Sequence, residues 1–178
     1  MKTYALLTCC ILLSGSLMAQ TAEQQEKAIE QTVKTIDQQV DAMDKHNCAD
    51  CLMLMGKDTV VTPVSTIYPD LTAHWHEGKP ERITAVYTSE AGKKWEAACY
   101  YTQDSLIYVY SEYATELTTM GPGFYVVDFS VEHYYSKGAP FYKRSAGAGK
   151  GLPAAYVDPI ELQKMAMEWC ALAKKRKP

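Results

Sequence analysis

KWEAACYYTQDSLIYVYSEY, residues 94–113, holds the turn on which the fold depends. On both sides of TQDS (102–105) the chain is rich in β-branched and aromatic residues with a period of two. Trp95, Ala97, Cys99 and Tyr101 fall on one face of the first run, and Tyr108 and Tyr110 share a face of the second. A helix would need a spacing near 3.6. Runs joined by so few residues must be antiparallel, because parallel neighbours require a crossover of about a dozen residues or more.

The same pattern extends in both directions. ITAVYT (83–88) and FYVVDFSVEHYY (124–135) read as further strands, with TVVTPVSTIY (59–68) and LTAHWHE (71–77) ahead of them. Turn chemistry separates the runs at EGKP (77–80), EAGK (90–93), MGPG (120–123) and SKGAP (136–140). Pro63 marks an edge strand or a bulge. YYTQDSLIY (100–108) and YYSKGAPFY (134–142) echo one another at a separation of 34 residues, with an aromatic pair, a four-residue turn and a closing aromatic. A duplicated hairpin and shared turn chemistry explain that echo equally well, and two copies fall short of the three that a solenoid needs.

Helices flank the meander. In residues 21–45, Ile29, Val33, Ile36, Val40 and Met43 recur at steps of four and three, the narrow stripe of a helix lying on a sheet. The pattern fades at both ends, which argues against a coiled coil. At the other end Asp158, Pro159 and Glu161 supply an N-cap, a first-turn proline and a capping-box acid. Leu162, Met165, Trp169 and Leu172 form the stripe of that helix, and KKRK (174–177) suits its C-terminal dipole. The expected fold is α+β: an N-terminal helix, an antiparallel meander of about six strands, and a C-terminal helix packed on the sheet.

The first nineteen residues, MKTYALLTCCILLSGSLMA, have the parts of a secretory signal peptide. Lys2 provides the positive start, Tyr4 to Leu13 the apolar run, and SGSLMA the small residues before cleavage between Ala19 and Gln20. That run is too short to span a bilayer, and no second apolar segment follows, so no transmembrane segment is expected. Cys9 and Cys10 come too early for lipidation. The short leader ending in MAQ resembles those of secreted and envelope proteins of Bacteroidetes-type bacteria, as does the general style of the strands. Cleavage of the leader implies a periplasmic or extracellular location, and the 159 residues that remain, 20–178, suffice for a single α+β domain. The leader carries one base and no acid, leaving 17 bases against 21 acids in the mature chain. This mild acidity gives no reason to expect nucleic acid as a partner.

HNCADC (46–51) raises three possibilities: a redox centre, half of a metal site, or a staple. A thioredoxin-like pair belongs in a βαβ setting, whereas Cys48 and Cys51 follow a long helix. Asn47 does offer a cap for a short helix through CLMLMG (51–56). Structural zinc wants two close pairs of ligands, and one thiol pair is present beside His46. Export leads to an oxidising space, so disulfides are the default for Cys48, Cys51, Cys99 and Cys170. Of three connectivities, Cys48 with Cys51 and Cys99 with Cys170 fits best, because Cys99 faces the helices and Cys170 edges the last stripe. The longer bridge would contribute ~4 kcal/mol at most.

The remaining chemistry is sparse. His74 and His76 share a strand face, and His133 is the other histidine expected in the sheet; exposed strand histidines are far commoner than metal sites. RSAGAGKGLP (144–153) fails the phosphate-loop pattern because Gly151 replaces the hydroxyl residue. No G-x-S-x-G or protease-like cysteine occurs. Glu81, Glu96, Glu112, Asp128 and Glu132 lie on strands, where opposed acids can form acid–base pairs. All twelve mature tyrosines lie between Tyr68 and Tyr156. Tyrosine suits positions with one end buried and the other wet, so a tyrosine face left uncovered by the helices, with Tyr108 and Tyr110 on it, is the candidate ligand surface. The sequence therefore points to an exported, non-enzymatic envelope protein, needing no cofactor, that binds a ligand, glycan, lipid or protein partner. The alternative is a thiol–disulfide or zinc-dependent factor built on Cys48 and Cys51.

Overall fold

The computed structural model describes residues 21–44, 51–54, 60–61, 66–67, 70–88, 92–147, 152 and 157–175. In chain order the elements are α1 (Ala22–Asp44), β1 (Cys51–Leu54), β2 (Val60–Val61), β3 (Thr66–Ile67), β4 (Asp70–His76) and β5 (Lys79–Thr88). They continue as β6 (Lys93–Thr102), β7 (Ser105–Glu116), β8 (Tyr125–Ser136), β9 (Ala139–Gly147) and α2 (Pro159–Lys175). Seven strands form one antiparallel sheet in the order β1-β4-β5-β6-β7-β8-β9, and β2 pairs with β3 apart from it. The fold is α+β, with an N-terminal helix, an antiparallel meander and a C-terminal helix packed on the sheet.

Three local expectations change. CLML forms an edge strand rather than the start of a short helix, because β4 offers it a backbone ladder from Cys51↔His74 to Leu54↔Leu71. TVVTPVSTIY supplies the small β2–β3 pair instead of a strand of the main sheet. APFYKRSAG adds β9, a mostly exposed edge whose mixed residues carry no alternating signal.

Three hairpins at one end of the sheet are built alike. Their two-residue loops are Glu77-Gly78, Gln103-Asp104 and Lys137-Gly138, all with φ between 49° and 79°. Positive φ at both loop positions is the type I′ geometry, whose twist matches that of the flanking strands. Beyond each loop the register slips by one, leaving Glu81, Ile107 and Phe141 as the extra residues of β-bulges. The echo noted between 100–108 and 134–142 thus has a third member, HWHEGKPER (74–82), with a two-residue turn in each. The bulge sends the first and ninth residues of each unit to one face and the second residue to the other.

The helices lie on opposite faces. Under α2 is the larger core, in which Leu162, Met165 and Trp169 meet Ala97, Cys99, Tyr101, Val109 and Tyr135. Alternate residues of the same strands, Ala98, Tyr100, Tyr108 and Tyr134, meet Ile36 and Val40 of α1. Both helices start on side-chain caps. Thr21 and Gln24 exchange reciprocal bonds of 3.0 and 3.2 Å before α1. Asp158 Oδ1 accepts from the N–H groups of Ile160 and Glu161, at 2.9 and 3.0 Å, before α2. Glu161 does not close the expected box; its carboxylate turns to Lys164, 2.7 Å away. No helix among the described residues is long and apolar enough to cross a membrane.

Candidate functional site

The repeated hairpins align one row of side chains across the α1 face. Successive cross-strand partners are His74, Arg82, Tyr100, Tyr108, Tyr134 and Tyr142. The rings touch in sequence, with centroids 5.5 Å apart for Tyr100–Tyr108, 5.0 Å for Tyr108–Tyr134 and 5.3 Å for Tyr134–Tyr142. All three pairs are edge-on, the arrangement that ring quadrupoles favour. The Arg82 guanidinium sits over the Tyr100 ring, 5.7 Å from its centroid.

Helix α1 crosses this row and presents acids to it. Tyr100 donates to Asp37 at 2.7 Å, and Arg82 pairs with the same carboxylate oxygen at 3.3 Å. Farther along, Tyr134 donates to Glu132 at 2.9 Å and approaches Glu30 at 3.2 Å. Arg144 on β9 closes that end, 3.3 Å from Glu30 and from Glu132 and also paired with Glu26. Between the two arginine clusters a groove of about 360 Å³ opens along α1. Tyr108 and Tyr134 line it from the sheet with Glu132, and Glu30, Asp37 and Asp41 line it from the helix. Val33, Lys34 and Gln38 complete its lining.

Burial, then the charge of Glu132, pushes the Tyr108 hydroxyl well above the ordinary tyrosine value. Tyr134 is raised by burial and by its bond to Glu132. For Tyr100, burial and the bond to Asp37 raise the value against the opposing pull of Arg82. These hydroxyls stay protonated at neutral pH, donating to carboxylates and leaving oxygen lone pairs to accept. The groove is rich in acceptors, and Lys34 and Gln38 are its side-chain donors beyond the tyrosines.

The predicted site residues scatter around this groove. Tyr108 lines it, but the tyrosine face is not bare as expected: with one helix on each face, α1 covers it. Tyr110 is half-buried on the same side, donating to Glu112 at 2.7 Å, and burial pushes it up to about 12. His74 belongs to the tyrosine row, whereas His76 ends β4 beside Glu77. His133 sits four strands away from β4, roughly 19 Å by strand spacing, and packs with Tyr135 toward α2. Its Nε2 lies 3.0 Å from the Val157 carbonyl, so the ring donates there, and burial lowers its pKa and favours the neutral form. The three histidines therefore do not converge, and among the described residues no group of three or more histidines, cysteines or acids is arranged to hold a metal.

The expected Cys99–Cys170 bridge is absent. Both are free, buried thiols in the α2 core. Burial pushes Cys99 up to about 12, with Cys170 near enough to add to the shift, so each packs as a small protonated hydrophobe. Cys48 and its pairing with Cys51 lie outside the described residues, as do His46, the leader and residues 148–151 of the glycine-rich connection. Of the strand acids, Glu96 and Glu112 stand directly opposite each other, with Lys94 2.7 Å from Glu96. Asp128 pairs with Lys93 at 3.9 Å, Glu81 is a bulge residue, and Glu132 alone of the five enters the groove. Sequence reasoning missed Glu30, Asp37 and Asp41, although their 7- and 4-residue steps place them along one border of the α1 stripe.

Comparison with protein-family models, curated proteins and solved structures returns no match to this chain.

Proposed function

We propose that the protein is an exported binding module of the cell envelope whose ligand seats in the groove between α1 and the tyrosine row. The observation that carries the reading is the groove itself: a concavity of about 360 Å³, in the size range of small-molecule sites, with aromatic walls and converging polar groups. Export is supported by the leader, and the reading as an envelope protein by its resemblance to Bacteroidetes-type secreted proteins. Binding is favoured over turnover because Cys99 and Cys170 are buried and protonated, and His133 is held against a backbone carbonyl on the far side of the sheet.

Gln38→Trp tests the reading. Gln38 is exposed on α1 and lines the groove, so an indole there fills the cavity without disturbing the core. Native mass spectrometry of the mature protein recovered from its host's envelope should show a bound small molecule in wild type and none in Gln38→Trp. A ligand retained equally by both proteins would place binding elsewhere and defeat the proposal.

A further inference from the structure

The chemistry at the two ends of the groove indicates what belongs in its middle. At one end the tyrosine row and α1 already hold a cation: the Arg82 guanidinium lies over Tyr100 and against Asp37. At the other end Arg144 lies between Glu30 of α1 and Glu132 of the sheet, beside the Tyr134–Tyr142 pair. In each place a positive group fills the space between a helix carboxylate and the aromatic row. Tyr108 stands between these two places in the same row, and the open space lies above it.

We infer that the groove takes a small organic cation, an amine or guanidinium compound, seated over Tyr108 as the arginines are seated beside it. This rests on the reading of the groove as the ligand site. Four carboxylates line the groove, offset by Lys34 in the lining and by Arg82 and Arg144 at its ends, and the negative balance that remains attracts positive charge. The Tyr134 hydroxyl, which donates to Glu132 and approaches Glu30, keeps a lone pair for a ligand N–H, and a ring face offers cation–π attraction. An anion would meet a lining that stays net negative after Lys34, Arg82 and Arg144 are counted against its four acids. A neutral polyol would gain the hydrogen bonds but forgo the charge. The cavity is large enough for a linear polyamine or an amino-acid amide. Lys34 is exposed on α1 and lines the groove, so its charge opposes that of an incoming cation.

The experiment is calorimetric titration of the mature chain with spermidine and with L-argininamide, beside glucose and succinate as neutral and anionic probes. Both cations should bind, and binding should weaken with added salt. Asp41→Asn, a surface change that spares the core, should weaken the cations by about threefold. Tyr108→Ala should weaken them by roughly five- to tenfold. Lys34→Gln should tighten them. Tighter binding of glucose or succinate, abolished by Gln38→Trp, would overturn the cation inference while leaving the groove as the ligand site. Cation binding indifferent to Asp41→Asn and Gln38→Trp would overturn both. Absence of any cation binding would overturn the inference outright.

Discussion

The two faces of this sheet are built from alternate residues of the same strands, yet they serve opposite ends. Toward α2 the face is dry: Trp95 and Trp169 pack with centroids 5.9 Å apart among alanines, leucine and methionine. Its two fully buried tyrosines end on the helix backbone, Tyr101 on the Ala166 carbonyl at 2.6 Å and Tyr135 on the Pro159 carbonyl at 2.7 Å. Toward α1 the tyrosines end on carboxylates, and arginines bridge helix to sheet. Only Ile36 and Val40 of the described α1 residues are fully buried, whereas α2 buries six. One face therefore carries most of the apolar burial that stabilises the fold. The other trades packing for a polar, aromatic interface with room left in it.

Alkali should break both faces and give the largest effect. Burial holds Tyr100, Tyr101, Tyr108, Tyr134 and Tyr135 well above the usual tyrosine value, with Tyr110 and Cys99 each at about 12. Each of these groups keeps its proton in the folded state where the unfolded chain has lost it. The stability they add is complete below about pH 8.5, the unfolded thiol value, and drains away as pH rises past about 10, where unfolded tyrosines ionise. Urea unfolding at about pH 8 and about pH 11 should show a marked drop in midpoint, with tyrosinate absorbance appearing as the fold is lost. Equal midpoints would contradict the burial assigned to these rings.

Truncation separates the faces. Trp169→Ala, opening the dry core, should cost about 3–5 kcal/mol in chemical denaturation. Tyr108→Ala should cost less, about 2 kcal/mol, because its ring already borders the groove. If the costs came out equal, the α1 face would be a second full core and the contrast would fail. Arg144→Ala should change global stability least, by less than about 1 kcal/mol, since its side chain is half exposed. It should nonetheless speed amide exchange along α1, because it ties Glu26 and Glu30 to the sheet. Unchanged exchange would show that apolar contacts alone dock the helix.

Much of this architecture was legible in the chain. The period-two runs, the turns at EGKP, TQDS and SKGAP, and the cap at Asp158 mark the meander and its last helix because backbone geometry imposes those patterns locally. The strand face of Cys99, Trp95, Ala97 and Tyr101 was readable for the same reason, and it does meet a helix. What local pattern could not carry was any relation between elements distant in sequence. CLML has no strand signal of its own and becomes β1 through its edge pairing with β4. The likeness of HWHEGKPER to the two YY hairpins lies in the bulge and turn geometry, which dissimilar residues share.

The candidate site divides in the same way. Composition determined that the protein would be mildly acidic, and residue order that its tyrosines would concentrate in the strands. Only the tertiary structure decided that α1 and α2 take opposite faces, that the acids of α1 overlie the tyrosine row, and that Cys99 and Cys170 remain buried thiols rather than a bridge. The physical reason is range. Propensity, alternation and capping act across a few neighbouring residues and are written in their order. Which face a helix covers depends on the summed burial of side chains many tens of residues apart, a sum that exists only once the sheet has formed.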